Sequence, residues 1–480
     1  MISFRHLQRG LSKFSSRRRL STSCALDHGG THEANASSVA SLLAQSRQQP
    51  DSPSLTQAHA KMVATLLSGC DDRRGLSRIH AHVIRSRLLD SNPVAFHWNN
   101  IIRAYARLDA PRKALLVYAL MARAGVPPDS YTLPIALKAA CQSFDFEAGR
   151  QVHGVAVKHG LECNEFCESG FISLYAKAGD FGDARKAFDE NADRKLGSWN
   201  AMIAGLAQGG RSREAIDLFI EMRRSGFVLD DVTLVSVTSA CGSIGDLDLA
   251  LQLHKYVFQA KNIEKADILT FNSLIDLYGK CGRMDLAYKV FLGMEERNVS
   301  SWTSMIVGYA MHGLVSDALE CFCCMREAGV KPNFVTFVGV LSACVHGGMV
   351  QEGKCYFDMM QKYYGIRPRL QHYGCMVDLF GRAGRFDEAK QMVEGMPMKA
   401  NSIIYGCLLG ACEKHENVEI GEWVAKHLQE LEPWNDGVYV VLSNIYASRG
   451  MWKEVEEMRV VMKQRRLAKL PGYSLATNSE

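Results

Sequence analysis

Apolar positions recur along most of this chain with the three-to-four-residue spacing of amphipathic helices. From about residue 61, a small residue recurs roughly every 35 residues in this pattern, and a large apolar residue usually follows four positions later on the same helix face. The small positions are Ala114, Gly149, Ala184, Ala215, Ala250, Ala287, Ala318, Gly353, Ala389 and Gly421. The large ones include Phe188, Phe219, Phe291, Phe322 and Phe357. Because a small residue lets a neighbouring helix approach closely, the pattern predicts a packed second helix in each period.

A glycine precedes the small position by five residues in most periods. These glycines are Gly179, Gly210, Gly245, Gly282, Gly313, Gly348 and Gly384. Glycine at such a place favours a left-handed cap that ends a first helix. One hairpin cannot bury the apolar faces of both its helices, so neighbouring hairpins must stack. The sequence therefore predicts an all-α fold, a superhelical solenoid of helix-turn-helix repeats with a concave groove.

The first helix of several periods opens with a recurring motif. It reads Trp98-Asn99-Asn100-Ile101-Ile102, Trp199-Asn200-Ala201-Met202-Ile203, Phe271-Asn272-Ser273-Leu274-Ile275 and Trp302-Thr303-Ser304-Met305-Ile306. Tetratricopeptide repeats have a similar length but carry a Trp-x-x-Leu-Gly-x-x-Tyr signature at this place. The motifs instead resemble the openings of plant pentatricopeptide repeats. The resemblance covers roughly 400 residues and implies a right-handed superhelical solenoid.

The resemblance also divides the chain. Unit lengths cycle as in the plant subgroup with P, L and S repeats, so a degenerate L-like unit at 61–94 is expected before nine repeats at 95–401. The triplets are 95–129, 130–164 and 165–195, then 196–230, 231–267 and 268–298, then 299–333, 334–369 and 370–401. E motifs are expected at 402–474, notably in Tyr439 to Ala447 and Pro471 to Ser474, with a tail at 475–480.

In the family that the chain resembles, one repeat faces one RNA base, and the fifth and last residues of the unit read the edge of that base. Amides, hydroxyls and carboxylates suit this role because they present different donor and acceptor patterns. The resemblance implies that two pairs read uracil, Asn99 with Asp129 and Asn200 with Asp230. It implies that Asn272 with Asn298 reads a pyrimidine, preferably cytosine, and that Thr303 with Asn333 reads adenine. Taken singly, each Asn could instead be a helix cap or an exposed polar residue.

Other units depart from this rule and are expected to discriminate weakly. Ser169 pairs with Lys195, Gly374 pairs with Asn401, and the L repeats carry Pro134, Val235 and Val338 at the fifth position. Read 5′ to 3′, the implied target in single-stranded RNA is U-N-N-U-N-Y-A-N-N. The candidate RNA-binding residues are Asn99, Asp129, Asn200, Asp230, Asn272, Asn298, Thr303, Asn333 and Asn401.

The first 24 residues contain six Lys and Arg residues, no acid and many serines. This composition is typical of an organelle transit peptide. The stretch from Arg18 to Ser23 favours a mitochondrial address, with the chloroplast as the alternative. Residues 25–60 are expected to be a flexible linker, with order beginning near Lys61. Without the six cations, the formal charge of +5 becomes −1, so RNA affinity must come from the arrangement of charge and from base contacts.

The other motifs do not point to catalysis. The fifteen cysteines lie mostly on apolar phases, as in Ala-Cys at 141, 241, 344 and 412, and we interpret them as reduced and buried. Cys321 and Cys324 have C-x-x-C spacing but lack a partner pair. Gly348 to Lys354 fits a phosphate loop poorly, because Cys355 replaces the Ser or Thr that would hold magnesium.

These observations lead us to expect no enzyme, no cofactor and no metal. His153 and His254 occupy apolar phases and are expected to be packed histidines. No apolar run approaches the roughly 18 residues that a membrane span needs, so no membrane partner is expected.

Family members that end in E motifs resemble specificity factors for organellar cytidine-to-uridine editing. A deaminase needs an H-x-E and a C-x-x-C around zinc. The sequence contains no H-x-E, and the few residues after Tyr473 leave no room for such a domain. We therefore expect a deaminase-bearing pentatricopeptide protein, or another editing factor, to be recruited in trans through the E motifs. Two alternatives remain: an RNA-binding factor for splicing, stabilisation or translation, and a helical protein scaffold that binds no RNA.

Overall fold

A computed structural model describes residues 53–70, 72–86, 94–162, 164–191, 194–260 and 267–464. The predicted transit peptide at 1–24, most of the predicted linker, and Pro471 to Ser474 with the tail at 475–480 lie outside the described residues. The chain divides into two units, Met1–Leu174 and Tyr175–Glu480.

The first unit consists of helical hairpins. Its helices are α1 Pro53–Gly69, α2 Arg73–Arg85, α3 Val94–Arg107, α4 Pro111–Arg123, α5 Thr132–Ser143, α6 Phe146–Lys158 and α7 Glu165–Ala178, whose last four residues belong to the second unit. Ala114 on α4, at the predicted small position, is fully buried. On α6, a Cβ added to Gly149 would lie 2.4 Å from a methyl carbon of Leu174 on α7.

The second unit continues the same arrangement. Its helices are α8 Phe181–Asp189, α9 Leu196–Gln208, α10 Ser212–Arg224, α11 Asp231–Ile244, α12 Leu247–Ala260, α13 Ile268–Lys280, α14 Met284–Leu292, α15 Val299–Met311, α16 Val315–Glu327, α17 Phe334–Gly347, α18 Val350–Lys362, α19 Leu370–Arg382, α20 Phe386–Glu394, α21 Ser402–His415, α22 Val418–Leu431, α23 Gly437–Ser448 and α24 Trp452–Gln464. Within the described ranges there is no strand. The predicted all-α solenoid of helical repeats is confirmed.

Left-handed glycines join the two helices of most hairpins, as predicted. All seven predicted glycines have φ between 64° and 80°. Gly245, for example, follows the last residue of α11 with φ 75°, and its N–H donates to the carbonyl of Cys241. A residue with a Cβ is strained in this region, which is why glycine recurs at the turn.

The small positions inside the second helices allow close packing, also as predicted. Gly353 on α18 shows the tightest case in the second unit, because a Cβ there would lie 2.4 Å from Cδ2 of Leu379 on α19. The large residues one turn later are buried as well, with Phe322 fully buried and Phe357 8% exposed. Gly353 is thus a packing residue of a helical hairpin, consistent with our rejection of a phosphate loop at this site.

Helix α1 begins at Pro53, eight residues before the predicted onset of order. The expectation of a linker up to residue 60 was wrong for its last residues. Proline at the first position of a helix is favourable, because its fixed φ suits the helix and its missing N–H would have no intrahelical partner. This start signal was present in the sequence and was outweighed by the lack of a periodic apolar pattern before Lys61.

Two of the short second helices of the second unit end in the same way. The Nε of Arg194 donates to the carbonyl of Phe188 at 3.0 Å, and its guanidinium lies 4.6 Å from the centre of the Phe188 ring. Arg297 does the same at Phe291, with corresponding distances of 3.0 and 4.8 Å. Each arginine satisfies a carbonyl that has no partner within the helix and covers the neighbouring aromatic ring. Both helices, α8 and α14, have nine residues.

The thirteen cysteines in the described residues are free thiols. The four Ala-Cys positions are buried as predicted, but Cys323, Cys355 and Cys407 are exposed, so the interpretation of the cysteines as buried was too general. Among the described residues, no group of three or more potential ligands is arranged to hold a metal ion. None of the helices in these ranges is both long and apolar enough to cross a membrane.

Candidate nucleic-acid interface

The first predicted pair forms one hydrogen-bonded cluster in the first unit. Asn99 lies on α3, and its Nδ2 donates to both carboxylate oxygens of Asp129, at 3.0 and 3.2 Å. The hydroxyl of Thr132, at the start of α5, lies 2.7 Å from Oδ1 of Asn99 and 2.8 Å from Oδ1 of Asp129. Asn99 is 5% exposed and Thr132 is fully buried, so the amide is held in one orientation.

The second pair repeats this cluster in the second unit. Nδ2 of Asn200 donates to the two oxygens of Asp230 at 3.1 and 2.9 Å. The hydroxyl of Thr233 lies 2.5 Å from Oδ1 of Asn200 and 2.7 Å from Oδ1 of Asp230. The same three residue types at the same spacings therefore build the same cluster twice. Within each cluster, the aspartate is the half-exposed member.

Both aspartates also accept a backbone N–H at the start of the following helix, and Asp230 is its N-cap. Oδ1 of Asp129 accepts the N–H of Thr132, and Oδ1 of Asp230 accepts the N–H of Thr233, each at 2.8 Å. Burial raises the pKa of Asp230, but the hydrogen bonds from Thr233 and Asn200 lower it by more, so the pKa lies below its ordinary value. The pKa of Asp129 is lowered in the same way by Thr132 and Asn99. The carboxylates are therefore ionised at neutral pH. Their contribution to stability is present above the ordinary Asp pKa and is lost as pH falls through the lowered value.

The third and fourth pairs are built differently. Nδ2 of Asn272 lies 3.4 Å from Oδ1 of Asn298, a weak contact, while Asn298 caps α15 by accepting the N–H of Ser301 at 3.0 Å. Thr303 does not contact Asn333 directly; its hydroxyl lies 2.8 Å from the hydroxyl of Thr336. Thr336 in turn contacts Oδ1 of Asn333 through both its N–H and its hydroxyl, at 3.0 and 3.1 Å.

Asn401 has no polar side chain opposite it, because Gly374 occupies the fifth position. Oδ1 of Asn401 caps α21 by accepting the N–H of Ile404 at 3.1 Å. The structure thus joins three predicted pairs by contact, links the fourth through a threonine, and leaves Asn401 facing a glycine. The cap interpretation and the pair interpretation are compatible. The residues that cap the following helix are Asp230, Asn298, Asn333 and Asn401, and Asp129 accepts the N–H of Thr132 at the start of α5.

Our sequence analysis missed two features of this surface. One is the threonine that fixes each Asn–Asp pair, at Thr132 and Thr233. The other is a set of exposed large apolar side chains, each three residues before a fifth position and so on the same helix face. They are Phe96, Tyr131 and Phe166 in the first unit, and Val232, Leu269, Val335 and Ile403 in the second, with exposed fractions between 37 and 70%. Their fixed phase was visible in the sequence, but a helical pattern alone does not separate an exposed apolar residue from a buried one.

A stack of helical hairpins with a polar cluster repeated on the first helices defines a helical-repeat protein. Models of pentatricopeptide repeats match most of this array. They match as a PPR repeat at 197–227, 269–299, 335–364 and 372–399, as the PPR repeat family at 93–142 and 297–346, and as a pentatricopeptide repeat domain at 217–281. An E motif model matches 415–476. The chain belongs to the pentatricopeptide repeat family.

Similar proteins of Arabidopsis thaliana agree with this assignment. A mitochondrial pentatricopeptide repeat-containing protein is 58% identical over 427 residues, covering 89% of this chain and 91% of the relative. Another, described as chloroplastic and mitochondrial, is 39% identical over 470 residues, covering 88% and 73%.

Solved structures share the fold. The crystal structure of the pentatricopeptide repeat protein PPR10 from maize has a TM-score of 0.56 and 17% identity, covering 92% of this chain and 68% of PPR10. The structure of PPR10 in complex with an 18-nt psaJ RNA element has the same TM-score and identity, covering 90% and 72%.

Proposed function

We propose that this chain binds single-stranded RNA sequence-specifically in an organelle, with one repeat facing one base. The observation that carries the proposal is the twice-built cluster of Asn, Asp and Thr. A buried amide held by a carboxylate and a hydroxyl needs no reordering when a base arrives, so little conformational entropy is lost on binding. The complex of PPR10 with an RNA element is a precedent for RNA binding by this fold.

The cluster suits uracil for a chemical reason. An ionised carboxylate accepts hydrogen bonds at about four sites, and those of Asp230 are not all used by Asn200 and Thr233. The free sites can accept N3–H of uracil, while the second amide hydrogen of Asn200 can donate to a uracil carbonyl. Cytosine carries an acceptor at N3 and would meet the carboxylate unfavourably. The same argument applies to Asn99 and Asp129.

The exposed apolar side chains on the first helices would provide surfaces for the faces of the bases. Phe96 lies one turn before Asn99 on α3 and is 46% exposed. Base stacking of this kind tolerates any base, so it adds affinity while the polar pairs add selectivity. Arg103 and Lys138, one turn after Asn99 and Pro134, are exposed cations that suit RNA phosphates.

A binding experiment with the full chain tests the reading of bases. We expect the probe 5′-UGGUGCAGG-3′ to bind more tightly than the same probe with both uridines changed to guanosine, by about 1–3 kcal/mol per base on the scale of base-edge readout in DNA. The matched control is a probe in which the guanosines at nucleotides 2 and 3 are changed instead, and the affinity for this probe should change little. Equal binding of all three probes would contradict the proposal and favour the scaffold alternative.

Beyond RNA binding, we propose that the chain selects sites for cytidine-to-uridine editing and recruits a deaminase in trans through residues 402–474. The E motif match and the absence of H-x-E from the sequence support this proposal. We also propose that residues 1–24 direct the chain to the mitochondrion, with the chloroplast as the alternative, in line with the names of the relatives.

Loss of the protein in the plant tests this finer proposal. We expect one cytidine downstream of the bound site to remain unedited, measured by sequencing organellar transcripts. Restoring the wild-type chain should restore editing, whereas a chain with Asn99→Leu and Asn200→Leu should not. If every cytidine is edited and a transcript is instead unspliced, degraded or untranslated, the alternative of another RNA-processing role is correct.

A further inference from the structure

A cavity opens where the array lacks a fifth-position side chain. It has a volume of ≈ 350 Å³ and lies between α17, α19 and α21 of the second unit. Its lining includes Gly374, Cys375, Asp378, Asn401, Ile404 and Cys407. Gly374 stands at the position that Asn200 and Thr303 occupy in their own units. The cavity therefore lies at the same position in its unit as the pairs of fifth and last residues do in theirs.

Missing side chains produce this space. Gly374 has none, and a Cβ added there would meet only Cγ1 of Ile404, at 3.7 Å, which is an ordinary contact. Gly406 stands at the fifth position of the following unit, and a Cβ there would meet nothing within 4 Å. Of these two glycines, Gly374 lines the cavity, and a substitution there can fill the space without a clash.

The cavity combines an apolar interior with a polar edge. Ile404, which is 2% exposed, and Cys375 both line the cavity. At the edge, Arg382 forms an ion pair with Asp378 at 2.9 Å, and the polar residue Asn401 also lines the cavity. Ile403, 70% exposed, borders the opening. Flat apolar contact with hydrogen-bonding groups at one side is what a nucleobase requires.

We infer that this cavity binds a purine base of the RNA, at the ninth position of the target, by shape instead of by a polar pair. The inference rests on the proposed RNA binding. It assigns a base preference to the unit at 370–401, for which the rule for fifth and last residues implies none. A two-ring base can cover more of the apolar lining around Gly374 and Ile404 than a one-ring base, which leaves part of that surface without contacts.

Binding of the full chain to probes that differ at the ninth nucleotide tests the inference. The wild type should bind 5′-UGGUGCAGG-3′ about tenfold more tightly than the same probe with an abasic ninth nucleotide, a loss on the scale of one stacked base, with uridine intermediate. In Gly374→Val this difference should fall to about twofold or less, because the valine fills the space of the base. The penalty for changing the fourth nucleotide from uridine to guanosine should be unchanged.

Gly410→Val is the matched control. Gly410 lies on α21, is exposed, and a Cβ there would meet nothing within 4 Å, so this variant carries the same change of helix propensity outside the cavity. If the wild type ignores removal of the ninth base but still reads the fourth, the purine site is refuted and RNA reading stands. If it reads neither position, both are refuted.

A second measurement does not depend on any variant. Cys407 lines the cavity and is exposed, while Cys355 is exposed on α18, a second helix. The probe with guanosine at position nine should slow alkylation of Cys407 by iodoacetamide about fivefold relative to the abasic probe, because the base covers the thiol. Alkylation of Cys355, followed by mass spectrometry in the same sample, should be equal with both probes. Equal rates at Cys407 would refute the purine site.

Discussion

Asp230→Asn should change the preferred fourth base of the RNA from uridine to cytidine. The carboxylate of Asp230 only accepts hydrogen bonds, whereas an amide can turn its NH₂ towards N3 of cytosine. The change makes the pair with Asn200 equivalent to Asn272 with Asn298. We expect the ratio of the dissociation constants for the uridine and cytidine probes to shift by about 1–3 kcal/mol, on the scale of single-base discrimination.

This substitution should leave the fold intact, because asparagine caps helices as well as aspartate does. Asn298 already performs the same capping role, accepting the N–H of Ser301 at 3.0 Å. Asp246→Asn is the matched control, since Asp246 caps α12 through the N–H of Leu249 at 3.0 Å and lies on no predicted pair. A variant that keeps its preference for uridine would show that Asp230 does not read the base. Asp129→Asn repeats the test for the first nucleotide.

Trp199→Ala should destabilise the helices around α9, near the start of the second unit, by about 3–5 kcal/mol, the range for removing a large aromatic residue from a core. The ring of Trp199 is 2% exposed and packs edge-on against Phe188, with ring centres 4.9 Å apart. The centre of the Trp199 ring also lies 6.1 Å from the centre of the Phe227 ring. The substitution opens a cavity that the surrounding helices can fill only in part.

The loss should be local, because each hairpin of a solenoid contacts only its neighbours. Hydrogen exchange measured by mass spectrometry should show faster exchange in α8, α9 and α10, with little change in α21 and α22. The control variant Trp434→Ala removes a tryptophan that is 73% exposed and should not alter hydrogen exchange in α8, α9 and α10. Uniform acceleration along the second unit would mean that it unfolds as one cooperative body.

The fold was largely predictable because its constraints are local and repeated. Gly245 must adopt a positive φ, and Gly353 must leave room for Leu379, and each requirement restricts the residue type in every period. The small position recurs ten times, so the pattern can be recognised even when single positions deviate. The start of α1 at Pro53 was missed because it occurs once and precedes the periodic region.

The candidate site was predictable only in part. The pairing of Asn200 with Asp230, thirty residues apart, came from resemblance to a family, since spacing alone does not bring them together. Thr233 escaped notice because a threonine at the start of a helix is common and its second partner lies on another helix. The cavity at Gly374 could not be predicted, because it is formed by three helices and by side chains that are absent.

The dual role of the last residue in a unit limits how such a protein can be retargeted. Asp129 and Asp230 are proposed to face a base, and each also accepts a backbone N–H at the start of the next helix. A new base preference at that position therefore keeps the stabilising cap only if the new side chain is one that caps helices, such as aspartate, asparagine, serine or threonine. Lys195 is not one of these residue types and makes no capping hydrogen bond to α9. It ends the unit at 165–195, for which the rule for fifth and last residues implies no base. Evolution of target sequence and stability of the solenoid are thus coupled at one residue per repeat, whereas the fifth position is free to vary more widely.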